Sequence, residues 1–160
     1  MAHELRQLMR HTAATVTVVT AAGAPPCGFT ATSFTSVTLD PPLVSVCANR
    51  ASSAWPTLAQ AAHIGVNILA ETQEDAARIF ATSGIDRLSA GVRWEPAPHG
   101  SPLLVDALAS MECAVHRRID VGEHMLLLAT PTQLSWRPGA PLLYHNGRYV
   151  GVSETVRDDA

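Results

Sequence analysis

The sequence predicts a mainly β fold, a closed or nearly closed barrel carrying a few short helices. Short runs rich in Val, Ile and Thr recur along the chain between breaks of Gly, Pro and Asn. Helical spacing is confined to a few brief stretches, and these do not alternate regularly with the strand runs. A doubly wound parallel sheet needs that alternation, so a barrel fits better.

Residues 3–12 read as an N-terminal helix with Leu5, Leu8 and Met9 on one face. Thr15 to Thr20 alternates Thr and Val and then turns apolar, which marks a strand. A loop with Gly and paired Pro follows over 21–26. Gly28 to Leu39 reads as one long or bent strand, and Leu43 to Ala48 as a strand covered on both faces; Leu39-Asp40-Pro41-Pro42 turns between them. Ala54 to Ala62 is a short helix, with Pro56 in the first turn where its missing N–H costs little. Ile64 to Leu69 is a strand. Thr72 with Asp75 has capping-box spacing and opens a helix through Ala81. Residues 83–103 are rich in Gly and Pro and read as irregular. Leu108 to Val121 and Met125 to Trp136 are long strands around a hairpin at Gly122-Glu123. Leu142 to Tyr144 and Arg148 to Val152 close the chain through Asn146-Gly147, a type I′ turn signal. The polar residues 153–160 are expected to fray. With no repeat and no linker, one domain is expected over 1–160, its ordered core about 5–152.

A chain of 160 residues can bury a substantial core. Apolar content of 47% against 16% charged is high for a solitary subunit and points to a homodimer. A net charge of −3 gives no electrostatic footprint for nucleic acid. No apolar run is long enough to span a bilayer, and the opening MAHELRQLMRHT is not signal-like, so a cytoplasmic, membrane-free protein is expected. Cys27, Cys47 and Cys113 lack metal-ligand spacing and read as free thiols. The histidines show no metal pattern either, so no metal site is expected. No Gly-x-Gly-x-x-Gly follows a strand and no P-loop exists, so a nicotinamide cofactor would not be held in a Rossmann domain. No Ser lies in a Gly-x-Ser-x-Gly elbow.

The most informative stretch is GFTATSFTSVTLDPPLVSVCA, residues 28–48. Period-2 geometry puts Thr30 and Thr32 on one face and Ser33 and Thr35 on the other. A hydroxyl-rich strand beside an apolar one suits a wall facing a flat, polar-edged ligand; the β-propensity of Thr is the ordinary alternative. Asn49-Arg50-Ala51-Ser52-Ser53 precedes a helix start. Its serines could simply cap the helix, or join the free N–H groups and Arg50 in a phosphate site. His124 follows a tight turn between two long strands.

These motifs carry a resemblance. Val16-Thr17-Val18-Val19-Thr20, Gly28 through Val37, Asp40-Pro41-Pro42-Leu43, Gly122-Glu123-His124, Pro141-Leu142-Leu143-Tyr144 and Gly147-Arg148-Tyr149 occur in one order and spacing. Together they resemble the flavin reductase-like, FMN-binding split-barrel family, the small reductase components of two-component flavin-dependent monooxygenases. The resemblance implies an FMN-binding split β-barrel that acts as an NAD(P)H:flavin oxidoreductase. It would reduce FMN or FAD with NADH or NADPH and supply reduced flavin to a partner monooxygenase. It maps flavin contacts onto Thr30, Ala31, Thr32 and Ser33, and onto Ser45, Val46, Cys47, Ala48 and Asn49. It places the flavin phosphate on Ser52 and Ser53, with Arg50 beside them, and the nicotinamide beside His124. Phe80 matches an aromatic position near the family's flavin, although a helix-core role suits it equally. Thr32 stands where members commonly have Asn, and Glu123 where they have Asp. Two other functions remain open at this point: a flavoprotein that retains FMN and acts on another small molecule, or a non-catalytic flavin- or haem-binding module.

Overall fold

A computed structural model describes residues 1–152; the tail expected to fray lies outside the described residues. The elements in order are α1 (Ala2–Met9), β1 (Ala14–Thr15), β2 (Thr17–Ala21), β3 (Cys27–Ala31), β4 (Thr35–Leu39), β5 (Pro42–Asn49), α2 (Trp55–Leu58), β6 (His63–Ile68), α3 (Glu74–Ala81), β7 (Trp94–Pro96), β8 (Pro102–Leu104), β9 (Ala109–Val121), β10 (His124–Trp136), β11 (Leu143–His145) and β12 (Arg148–Val150). The fold is mainly β, as expected.

Seven strands form one antiparallel sheet in the order β3-β2-β6-β9-β10-β5-β4. Its two edges, β3 and β4, are consecutive in the chain and joined only by Thr32-Ser33-Phe34. So short a connection forces the sheet to curl until its edges approach. No ladder joins β3 to β4 among the described residues, so the barrel stays split along that seam. The single strand expected from Gly28 to Leu39 is therefore corrected to two strands on opposite edges. The hydroxyl alternation read across it breaks at the kink.

The barrel interior is filled by Val19, Phe29, Val46, Ile64, Val66 and Leu127. A second cluster of Val18, Leu69, Ala77, Phe80, Leu104 and Leu142 lies outside the wall beneath α3. β2 separates the two clusters, which is why all five of its residues are buried. Its hydroxyls find partners despite that burial: Thr17 Oγ1 donates to the Ala31 carbonyl at 2.9 Å and Thr20 Oγ1 to that of Pro102 at 2.5 Å.

Other expectations shift. The strand read from Thr15 is interrupted at Val16, whose N–H bonds the Leu142 carbonyl. That lets β1 leave the barrel and pair with β11. The helix expected over 54–62 is one turn, with Pro56 near its start. The capping box at Thr72 does not form: Gln73 is the N-cap of α3, and its Oε1 accepts the Ala70 N–H at 2.9 Å. The irregular segment contains the small hairpin β7–β8. The closing turn matches its sequence signal, with Asn146 at φ 48° and Gly147 at φ 77°. No helix among the described residues is long and apolar enough to cross a membrane.

Candidate functional site

The seam between β3 and β5 gathers most of the expected residues. β4 pairs with β5 only from Pro42 to Ser45. Beyond that point the outer edge of β5 has no partner strand among the described residues. Ser33, in the kink, reaches across: the Cys47 N–H donates to Ser33 Oγ at 3.0 Å. Side chains of β5 alternate as a strand requires. Val46 and Ala48 point into the barrel core, while Cys47 and Asn49 face outward.

Not every expected residue is free to meet a ligand. Thr30 Oγ1 donates to the Ala77 carbonyl of α3 at 2.7 Å, so its hydroxyl secures the helix. Ala31 is buried in the barrel, and Ser45 is buried beside β4. Thr32 and Ser33 are exposed. Phe80 takes the helix-core alternative: it is 0% exposed and packs in the cluster beneath α3. Its ring lies where a Cβ on Gly28 would stand 2.6 Å away. That contact explains the glycine opening the Gly-Phe-Thr-Ala motif, since only a missing side chain admits the helix so closely. With its ring enclosed, Phe80 has no surface to offer a ligand.

Strand register brings the two distant motifs together. His124 opens β10 directly opposite Asn49 of β5. The Arg50 N–H donates to the Glu123 carbonyl at 3.0 Å, tying the Gly-Glu-His turn to the Asn-Arg-Ala-Ser-Ser turn. Arg50 itself pairs with Asp120 on the surface. Asn49 Oδ1 accepts the Ala51 N–H at 2.8 Å, and Ser52 Oγ accepts that of Ala54 at 3.3 Å, so side chains shape this turn. His124 is exposed at its rim.

Ser53 opens onto a cavity of about 260 Å³ that it shares with Cys27, Thr57, Asp86 and Arg87. Arg87 is the residue that sequence reasoning missed. It is 8% exposed, donating from Nε to the Thr82 carbonyl at 2.7 Å and from Nη1 to that of Gly28 at 2.6 Å. No carboxylate lies within ion-pair distance of it among the described residues. Burial pulls its pKa below the ordinary guanidinium value, but the group remains a cation. A buried cation held by carbonyls, at the wall of a cavity lined by Ser53 as well as Asp86, has the chemistry to meet an anion. No pattern in Asp86-Arg87-Leu88 marks the arginine as buried. Burial likewise pushes up the neighbouring Cys27 thiol, making it a weak nucleophile.

A separate polar cluster lies at β6 and β9. Glu112 is fully buried and accepts the N–H groups of His99 and Ser101. His99 Nδ1 is 2.9 Å from its carboxylate, and the His63 and His99 rings stack at 3.8 Å. The cluster anchors the loop before β8, away from the seam. Among the described residues, no group of three or more His, Cys, Asp or Glu side chains is placed to hold a metal.

Comparison with known proteins gives the family. The profile of the flavin reductase like domain matches residues 9–153. The chain is 38% identical over 144 residues to the reductase subunit of a stachydrine N-demethylase of Rhizobium meliloti, covering 89% of this chain and 62% of that protein. It is 34% identical over 128 residues to the reductase subunit of a flavin-dependent monooxygenase of Rhodococcus jostii, covering 79% of this chain and 65% of that one. The alignments thus span less than two thirds of these relatives' own length. Among solved structures, the NADH:FAD oxidoreductase of Streptomyces globisporus in complex with NAD and FAD fragments superposes with a TM-score of 0.91 at 34% identity, covering 97% of this chain and 94% of that one. By sequence and by fold, the chain belongs to the flavin reductase-like domain family.

Proposed function

We propose that this protein is an NAD(P)H:flavin oxidoreductase that reduces FMN or FAD and passes the reduced flavin to a separate flavin-dependent monooxygenase. The observation that carries the reading is the β5–β10 register, which sets His124 opposite Asn49 at the open edge of β5. The names of the relatives support the same reaction class.

Bound together, flavin and nicotinamide supply the whole redox step, a hydride passing from nicotinamide C4 to flavin N5. The protein's part is position. The outward groups of Cys47 and Asn49, with Thr32 and Ser33 across the seam, are suited to the polar edge of the flavin ring. Arg87, Ser52 and Ser53 form the phosphate end. His124 holds the nicotinamide from the rim by a hydrogen bond or a stacking contact. It need not move a proton, because hydride transfer at C4 requires none.

The protein is proposed to work as a homodimer in the cytoplasm. Leu39 and Trp136 are 86% and 78% exposed, and Val37, Val121 and Leu134 are more than half exposed. Such side chains suit a covered face. Light scattering should give twice the 17.0 kDa chain mass; a monomer at micromolar concentration refutes the dimer.

The test of function is oxidation of NADH and NADPH with FMN, FAD and riboflavin added in turn. Turnover with at least one pair, at about 1–1000 per second, is expected. No oxidation with any flavin refutes the reading. Stoichiometric flavin that survives purification would instead favour an enzyme that retains its cofactor.

A further inference from the structure

Strand β9 holds an extra residue at His116. Val115 stands opposite Ala129 of β10 and Arg117 opposite Leu128, so His116 has no opposite residue and forms a bulge. Residues directly opposite in an antiparallel ladder share a face. Val115 therefore lies on the barrel side with Ala129. Past the bulge, Arg118 and Asp120 share the barrel side with Leu127 and Met125. An uninterrupted strand would put Arg117 and Ile119 there instead. The bulge thus turns a cation and an anion toward the part of the barrel core on which α2 packs through Ala54 and Leu58.

Both charges grip the segment that carries Ser52 and Ser53. Arg118 is half-buried and donates from Nη2 to the Leu58 carbonyl at 3.2 Å and the Ala61 carbonyl at 2.5 Å, at and just past the end of α2. Carbonyls at a helix end are left short of helical donors. Among the described residues no carboxylate lies within ion-pair distance of Arg118, and its buried Nε has no partner. Stability alone does not call for such a cation, because an apolar side chain would fill the place without the desolvation cost. Asp120 pairs with Arg50 at the other end of the segment, where the Arg50 N–H is bonded to Glu123. Residues 50–61 are therefore held at both ends from one face of β9, with the two serines between.

We propose that Arg118 and Asp120 are positioning residues for the flavin phosphate. They fix the ends of residues 50–61, and the Ser52 and Ser53 hydroxyls are thereby held in place to receive it. The proposal rests on the flavin reductase reading and its placement of the phosphate at these serines.

Flavin-fluorescence titration of the full chain with FMN and riboflavin tests it, the ratio of the two affinities being the readout. A merely structural loss would lower both affinities or the melting temperature and leave the ratio alone. R118M should weaken FMN by about tenfold, with riboflavin within about twofold. R118K, which can still donate to the carbonyls, should recover most of the loss. R117M, on the opposite face of the strand, should leave the ratio unchanged. D120N alters an exposed pair and should lower the ratio by about two- to fivefold; with R118K it carries the comparison if R118M does not fold. Added to S52A/S53A, R118M should cause no further loss of FMN, because it acts through those serines. An unchanged ratio in R118M and D120N overturns the proposal, as does an equal loss of both flavins, an R118K no better than R118M, or a full further loss in the S52A/S53A background. NADH oxidation by the unaltered protein with FMN, measured alongside, judges the flavin reductase reading separately.

Discussion

Replacing Arg87 with Met should remove the cation from the phosphate end while leaving the ring site intact. A guanidinium carries five N–H donors. Two of its nitrogens are engaged, Nε with Thr82 and Nη1 with Gly28, and Nη2 has no partner among the described residues. Nη2 is therefore the group available to a phosphate oxygen. One lost charge-assisted bond costs about 1.5–3 kcal/mol, roughly 10- to 150-fold in FMN affinity. Riboflavin lacks the phosphate and should bind R87M as it binds the unaltered protein. The lost bonds to Thr82 and Gly28 should cost about 1–2 kcal/mol of stability, offset in part because a buried cation is no longer desolvated. Flavin-fluorescence titration with FMN and riboflavin, in parallel with thermal unfolding, measures both effects. Raised salt should weaken FMN more than riboflavin in the unaltered protein. Equal losses for both flavins, or no loss for either, would refute the placement of the phosphate beside Arg87.

His124→Ala should raise the KM for NAD(P)H or slow hydride transfer by about 10- to 100-fold, with flavin affinity nearly unchanged; stopped-flow reduction and flavin titration decide it, and lost flavin binding with normal nucleotide kinetics would reverse the assignment. Ser52→Ala with Ser53→Ala should weaken FMN more than riboflavin, checked in the same titration. Gly28→Ala should destabilise by about 1–3 kcal/mol, because the new methyl meets the Phe80 ring and the core has no slack; a melt at the unaltered temperature would contradict that packing. Burial raises the Glu112 carboxyl, but the hydrogen bonds from His99 and Ser101 outweigh it and hold the pKa below its ordinary value. Its contribution is thus present above the ordinary carboxylate range and fades as pH falls through the lowered folded value. Glu112→Gln should lower stability at neutral pH and flatten that acid slope in pH-dependent unfolding; an unchanged slope would show the carboxylate to be unimportant.

Most of the elements were legible in the sequence because their signals are local. Asn146-Gly147 marks its own turn, since both residues tolerate positive φ. The long runs around Gly122 announce a hairpin in the same way. Thr32-Ser33-Phe34 carries no Gly or Pro, so nothing local shows that the chain leaves one edge of the sheet for the other there. The hydroxyls of Thr30 and Ser33 looked alike in sequence. One is spent on α3 and the other on β5, and which partner each meets depends on elements far along the chain. Phe80 had the spacing of a core residue as well as the position of a ligand contact. Its enclosure by Gly28 and the neighbouring cluster shows the core packing, which depends on segments far from it in the chain.

The amino-acid sequence by itself determined the mainly β class, the turns, and the order of motifs by which the family is recognised. Each rests on backbone preference or side-chain period within a few residues. The tertiary structure alone decided where the barrel splits, between β3 and β4, that His124 stands opposite Asn49, and that Arg87 is a buried cation facing a cavity. Arg87 bonds a carbonyl 59 residues away. A charge's burial and a strand's register are properties of the surroundings that distant segments create, and no local pattern encodes them.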